Sequence, residues 1–128
     1  MRTLALILGL AGLGTVAMAQ EVASAPGAML RGLDKVATDT TDLDLAVGQS
    51  ATYGRLDVRL GDCRYPVDDP DSDAYAYLTI RDRSSGEVLF DGWMIASSPA
   101  LSALDHPRYD VWVIRCNSSD AEGTGGTQ

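Results

Sequence analysis

Residues 56–60 read LDVRL, a strict alternation of apolar and charged residues, and residues 43–47 read LDLAV. Side chains of a β-strand point to opposite faces in turn, so this period of two predicts strands with one buried and one solvated face. The stretch Gly48-Gln49-Ser50 lies between the two runs and favours a hairpin loop. We therefore predict that the two runs form neighbouring strands.

Further strands are predicted where β-branched and aromatic residues are dense. These segments are residues 74–81 and 111–116. A strand over 87–95 follows from Val88 and Phe90 on one face, and a weaker strand is predicted over 30–37. Together with the two alternating runs they make about six strands. The predicted fold is all-β, a small antiparallel β-sandwich or partly open barrel.

One short helix is predicted before the last strand, over residues 98–104. Ser98 suits the N-cap and Pro99 suits the first helical turn. Leu101 and Leu104 follow at a spacing of three, and the residue before Pro107 is disfavoured in helical geometry. The helix should therefore end at about His106.

The chain begins with the features of a secretory signal peptide, residues 1–19. Arg2 is followed by the apolar run 4–16, which is too short for a membrane span of about 20 residues, and by Ala17-Met18-Ala19. No cysteine follows this cleavage pattern, so no lipid anchor is expected. We expect a soluble periplasmic protein with a flexible lead-in at 20–28, one β domain at 29–116 and a disordered tail at 117–128.

The net charge of the chain limits the classes of molecule that it is expected to bind. Without residues 1–19, nine basic and eighteen acidic residues remain, and the net charge is −9. Nucleic acids and anionic lipid surfaces attract basic patches, so neither is an expected partner. Because aspartate favours turns, most of the acidity should lie in loops and on solvated faces.

Two cysteines, Cys63 and Cys116, are present. In an oxidising compartment an even pair first indicates a disulfide, which would support the modest core of so short a chain. Metal ligation and a free reactive thiol remain alternatives, although the sequence has no CxxC motif.

The segment 92–107, GWMIASSPALSALDHP, followed by YDVWV at 109–113 and by Cys116, resembles a family of small exported proteobacterial proteins known as domain of unknown function 2155. Residues 33–36 and Cys63 fit the same resemblance. It implies an exported β domain with the Cys63–Cys116 pair, and it implies no activity. Where similar proteins have a Pro/Glu-rich loop, this chain has VDDPDSD at 67–73.

Local motifs suggest two kinds of site, a calcium loop and a hydrolase centre. DPDSD at 69–73 opens like a calcium loop, but Ala74 replaces the turn glycine and Ile80 replaces the final glutamate. A solvated acidic turn explains the motif, so no metal site or cofactor is predicted.

A hydrolase would draw on the serines, acids and single histidine near the short helix, namely Ser97, Ser98, Asp105, His106 and Asp110. The G-x-S-x-G pattern is absent, and neighbours in sequence do not make a triad. No catalytic residue is therefore predicted, and a hydrolase that uses His106 is kept as an alternative.

Aromatic residues supply the remaining candidates. We expect Trp112 in the core, and we consider Trp93, His106 and Tyr109 as a ligand surface, with core packing as the alternative. The predicted function is a non-catalytic binding or envelope-assembly domain whose partner is an envelope protein. A module that binds cell-wall glycan is the alternative.

Overall fold

The computed structural model describes residues 21–117 together with Gly9 and Gly12. The rest of the predicted signal peptide and the tail after Asn117 lie outside the described residues. The elements are β1 (Val22–Ser24), β2 (Gly27–Asp34), β3 (Asp39–Ala46), β4 (Ser50–Tyr53), β5 (Leu56–Pro66), β6 (Tyr75–Asp82), β7 (Val88–Ile95), a 3-10 turn (Pro99–Leu101) and β8 (Tyr109–Asn117). Asn117, predicted to open the tail, instead ends β8 and donates to Asp44 Oδ1 at 2.7 Å. In the described part of the chain, no helix is long and apolar enough to cross a membrane.

The strands form two antiparallel sheets. The five-stranded sheet has the order β1-β5-β6-β7. The fifth strand, β4, lies on the same edge of β5 as β1: β4 pairs with residues 56–59 and β1 pairs with residues 64–66. The three-stranded sheet has the order β3-β2-β8. Across the core, β2 packs on β5 and β8 packs on β6. The all-β antiparallel prediction is confirmed, although the described residues form eight strands where about six were expected.

The core fills the space between the inner faces of the sheets. Leu56, Val58 and Leu60 of β5 are fully buried, whereas Asp57 and Arg59 between them are exposed. This confirms the period-two prediction for residues 56–60. Burial of each such aliphatic side chain contributes ~1.5–3 kcal/mol to stability. The other sheet positions among the largest fully buried side chains are Leu30, Cys63, Pro66, Leu78, Ile80, Met94, Val111 and Val113.

The predicted hairpin between residues 43–47 and 56–60 is wrong. Residues 43–46 belong to β3, which pairs with β2, whereas β5 pairs with β4. The chain crosses between the sheets at residues 47–49, where the N–H of Gly48 donates to the carbonyl oxygen of Leu60 at 2.7 Å. Alternation shows which face of a strand is buried, but it does not specify the neighbouring strand.

Residues 21–28, expected to be a flexible lead-in, are paired in both sheets. β1 lies on the edge of β5, and β2 begins at Gly27. Ala25, between the two strands, is 5% exposed, and its N–H donates to the carbonyl oxygen of Cys63 at 2.7 Å. Small residues are needed here, because a Cβ at Gly27 would come within 2.5 Å of the Leu45 carbonyl oxygen.

The short helix predicted over 98–104 is present as a single 3-10 turn, Pro99–Leu101, in the segment between β7 and β8. Ser98 makes no side-chain cap, and Leu101 is 76% exposed, whereas Leu104 is buried in the core. Because β7 and β8 run in the same direction, residues 96–108 must return along the length of the domain. An α-helix rises only ~1.5 Å per residue, so a longer helix over 98–104 would shorten the reach of this segment.

The Cys63–Cys116 disulfide joins β5 to β8 and therefore connects the two sheets, with the Cα atoms 5.8 Å apart. Cys63 is fully buried, and so is Ala28, the register partner of Cys116 on β2. The bond leaves no free cysteine in the described residues, so neither thiol is available for the metal or redox roles considered above.

Removal of the disulfide should destabilise the domain. The two cysteines are 53 residues apart in sequence. Closing a loop of that length in the unfolded chain corresponds to ~4 kcal/mol on the chain-entropy model, and loss of such a bond from a small domain costs about 2–5 kcal/mol. Urea denaturation of the Cys63→Ala/Cys116→Ala variant should show this loss. Dithiothreitol should destabilise the wild type and leave the variant unchanged; an equal response of both proteins would contradict the assignment.

Gly54 provides a second test of the packing. It lies in the turn between β4 and β5 with φ +58°, and a Cβ there would meet Tyr109 Oη at 2.5 Å. We expect Gly54→Ala to cost about 1–2 kcal/mol for the left-handed backbone and ~1–3 kcal/mol more for overpacking. Gly48→Ala is the matched control, because Gly48 has φ +91° but open space around it. Equal losses in urea denaturation would contradict the tight contact with Tyr109.

Candidate functional site

The structure separates the candidate surface residues Trp93, His106 and Tyr109. Trp93 lies on the outer face of β7 and is 38% exposed, whereas Tyr109 is 3% exposed, and half-buried His106 lies in the loop before it. Trp93 pairs with Tyr77 near the disulfide end of the sheet. Tyr109 begins β8 and precedes Cys116 by seven residues, or ~23 Å of strand. The three side chains therefore do not form one surface, and Tyr109 belongs to the core.

His106 has a structural role in the loop that leads into Tyr109. The Tyr109 ring packs edge-to-face on Tyr53, with ring centroids 5.6 Å apart. His106 Nδ1 accepts the backbone N–H groups of Arg108 at 3.0 Å and of Tyr109 at 3.1 Å. The imidazole thereby shapes the entry into β8, and its Nδ1 atom is not free to act as a base.

Polar contacts hold the same loop to the end of β2. Arg108 donates to both carboxylate oxygens of Asp34 at 3.0–3.2 Å. Lys35 Nζ donates to the carbonyl oxygen of His106 at 2.8 Å, and the Lys35 N–H donates to that of Arg108 at 2.8 Å. Asp34 Oδ1 also accepts the N–H groups of residues 36 and 37. These residues thus anchor the start of β8.

The residues considered for hydrolysis and for calcium also hold the chain in place. Asp73 accepts the Ser97 hydroxyl at 2.7 Å and the Ser97 N–H at 2.9 Å, at the disulfide end of the domain. His106 lies toward the opposite end, so Ser97 and His106 are not placed as a nucleophile and its base. Within residues 21–117, no group of three or more His, Cys, Asp or Glu side chains is placed to hold a metal ion.

The outer face of the five-stranded sheet carries Arg64 of β5, Tyr77 of β6 and Trp93 of β7, which we call the aromatic patch. The Tyr77 and Trp93 rings meet edge-to-face with centroids 5.3 Å apart. Arg64 Cζ lies 5.1 Å from the Trp93 ring centroid, and Arg64 Nε lies 3.0 Å from Asp62 Oδ2. A partly exposed cation–π contact contributes ~0.5–1 kcal/mol. The patch is therefore an ordered, partly exposed group of Trp, Tyr and Arg, the residue types enriched at binding hot spots.

Trp112 does not lie in the core, contrary to the prediction. It is half-buried on the outer face of the three-stranded sheet, between the buried residues Val111 and Val113. Its register partner on β2 is Arg31. The dense apolar run VWVIRC suggested a strand covered on both faces, but β8 has its fully buried side chains on one face only.

The surface predicted from the sequence included Trp93 but neither Arg64 nor Tyr77. The alternation of Tyr77 with buried neighbours places it on the outer face, so this part of the patch could have been found. Arg64 could not, because the register shifts between Leu60 and Asp62. Continued alternation from Leu60 would have turned Arg64 toward the core.

Together, the fold and the patch define a class of protein: an antiparallel two-sheet β domain with a disulfide between its sheets and a Trp–Tyr–Arg group on one outer face. Residues 28–116 match the family described as "Uncharacterized protein conserved in bacteria (DUF2155)", and the chain belongs to this family. The resemblance seen in the sequence is thereby confirmed.

One relative is an uncharacterised protein of Rickettsia prowazekii (strain Madrid E). It is 30% identical over 87 residues, which make up 66% of this chain and 56% of the relative. The chain thus spans little more than half the length of that protein. No solved structure matches the chain.

Asp34, Asp42 and Asp82 have lowered pKa values and couple stability to pH. Hydrogen bonds from the Ser84 hydroxyl and from the N–H groups of residues 84 and 85 lower the pKa of Asp82 to about 2. Hydrogen bonds from Arg108 are the largest cause that lowers the pKa of Asp34. A depressed pKa favours the folded state while the carboxyl is charged, so this stabilisation is present above ~pH 4 and is lost as the pH falls toward the folded-state pKa.

The thermal midpoint should therefore fall between about pH 4 and pH 2. Asp82→Asn should show a smaller fall than the wild type, because the amide does not titrate. Asp71→Asn, which removes an exposed carboxyl outside this turn, should retain the wild-type fall. Calorimetry across this range is the measurement, and an unchanged pH profile in Asp82→Asn would contradict the role of this turn.

Proposed function

We propose that this protein is an exported, non-catalytic binding domain that contacts an envelope protein through the aromatic patch. The observation that carries the proposal is the placement of Trp93, a large aromatic side chain that is 38% exposed while Tyr77 and Arg64 hold it in position. A side chain that is already ordered loses little conformational entropy on binding. Such residues serve as anchors of protein interfaces.

Export to the periplasm is supported by residues 1–19, which have the charged start, apolar run and small residues of a signal peptide. The disulfide adds to this support, because cytosolic thiols are kept reduced. Membership of a bacterial family is consistent with this compartment.

A protein partner is favoured over cell-wall glycan by the position of Arg64. Sugar rings stack on an open aromatic face, whereas here a guanidinium lies 5.1 Å from the centroid of the Trp93 ring. A protein partner could pack against the exposed part of the indole and hydrogen-bond to Arg64 at the same time. Glycan binding is kept as an outcome of the experiment below.

Photo-crosslinking in the native cells can identify the partner. A photoreactive amino acid at Ser24 would lie beside the patch, because Ser24 is exposed and is the register partner of Arg64. The matched control is Thr41, an exposed residue of β3 on the other sheet. We expect a specific adduct from position 24 and none from position 41, with proteins and wall fragments both read by mass spectrometry.

Trp93→Ala should reduce the adduct from position 24 about tenfold, which corresponds to ~1.4 kcal/mol of binding free energy. Trp112→Ala, the substitution of the tryptophan on the other sheet, should leave the adduct unchanged. Circular dichroism should show both variants folded. Wall fragments alone at position 24 would favour the glycan alternative, and a Trp93→Ala variant that keeps its protein adduct would refute the role of the patch.

A further inference from the structure

A second feature of the outer face lies farther from the disulfide than the aromatic patch. It is an open depression of ≈ 390 Å³, lined by Ser50, Asp57, Arg59, Thr79 and Arg81. Residues 50 and 79 are the register partners of residue 59 on β4 and β6, and residues 57 and 81 face each other across β5 and β6. Three adjacent strands thus bring two guanidinium groups and two hydroxyl groups together.

The two arginines of the depression keep their charge available. Arg59 makes no ion pair within the described residues. Arg81 Nη1 donates to the carbonyl oxygen of Gly86 at 3.1 Å, a contact that orients the guanidinium without neutralising it. The carboxylate of Asp57 lies 3.7 Å from Arg83 Nε, outside the lining, so its charge is already partnered.

One further acid lies close by. Asp91 is the register partner of Thr79 and accepts the Thr79 hydroxyl at 3.0 Å, and it also accepts a hydrogen bond from Tyr77. If Arg83 and Asp91 are counted with the lining residues, the depression has three arginines and two aspartates. The depression therefore has a positive local charge, although the net charge of the domain is strongly negative.

We propose that this depression binds an anionic group, a carboxylate or a phosphate. Planar guanidinium groups match the paired oxygens of both anions, and charge-assisted hydrogen bonds of this kind are about twice as strong as neutral ones. The Ser50 hydroxyl offers a further donor. The anion site follows from its own residues and does not need the aromatic patch.

The site also narrows the chemistry of the partner, an extension that rests on the proposed function. Tyr77 and Arg81 lie four residues apart on the outer face of β6, or ~13 Å. A partner segment that contacts Trp93 would therefore present an acidic side chain at about this distance from its apolar anchor.

Backbone amide NMR of the disulfide-bonded protein tests the anion site directly. Sodium glutarate, which mimics an acidic side chain, and inorganic phosphate are titrated separately at constant ionic strength. We expect saturable shifts at Ser50, Arg59 and Thr79 with a Kd on the order of 1–10 mM. Saturation by glutarate supports an acidic side chain as the ligand, and saturation by phosphate alone supports a phosphate group. Linear, unsaturable shifts with both anions would overturn the site.

The double variant Arg59→Gln/Arg81→Gln should weaken anion binding at least tenfold. Arg59→Gln alone should give an intermediate loss, and it replaces the double variant if that protein does not fold. Arg115→Gln, at an exposed arginine of β8, is the matched control and should bind as the wild type does. Unchanged binding in the Arg59 variants would refute the proposal. Trp93→Ala should leave the titration unchanged, so failure of the patch in crosslinking and failure of the anion site are separate results.

Discussion

The architecture of the domain depends on one irregularity in β5, a shift in its pairing register with β6. The strand alternates regularly through Leu60, and its register then shifts before Asp62. Because of this shift Cys63 faces the core, where it bonds to Cys116 of the other sheet, and Arg64 faces outward over Trp93. A β-bulge commonly redirects a side chain in this way. The same bulge therefore determines both the covalent link between the sheets and the residue that completes the aromatic patch.

The polar residues that resemble a catalytic set hold the long return between β7 and β8. Asp73 binds Ser97 at the disulfide end, and Asp34 binds Arg108 near the opposite end. His106 forms the last turn before β8 through its Nδ1 atom. Chemically capable residues are thus used for loop structure, since the return segment lies outside the sheets and makes few backbone hydrogen bonds of its own. Because these residues are engaged in loop contacts, the outer face of the five-stranded sheet is the surface that we propose for recognition.

That outer face combines two kinds of contact. The aromatic patch offers an ordered apolar anchor, and the Arg59–Arg81 depression offers charged donors on neighbouring strands. Arg64 and Tyr77 of the patch and Arg59 and Arg81 of the depression lie on β5 and β6, the strands whose inner faces supply much of the buried core. Side chains that neighbouring residues already hold in place lose less conformational entropy on binding a partner.

Sequence alone was sufficient for the all-β class, the inward-facing residues 56–60, the cysteine pair and the family, because alternation, composition and motifs are local properties of the chain. Trp93 was a surface candidate with core packing as the alternative, and only the fold shows that it is 38% exposed. Only the tertiary structure decided that β3 pairs with β2, that Tyr109 is buried, that the predicted helix is a single 3-10 turn and that Arg64 lies over Trp93. Strand partners, the bulge and the path of the return segment arise from contacts between residues distant in sequence, and no local pattern specifies them.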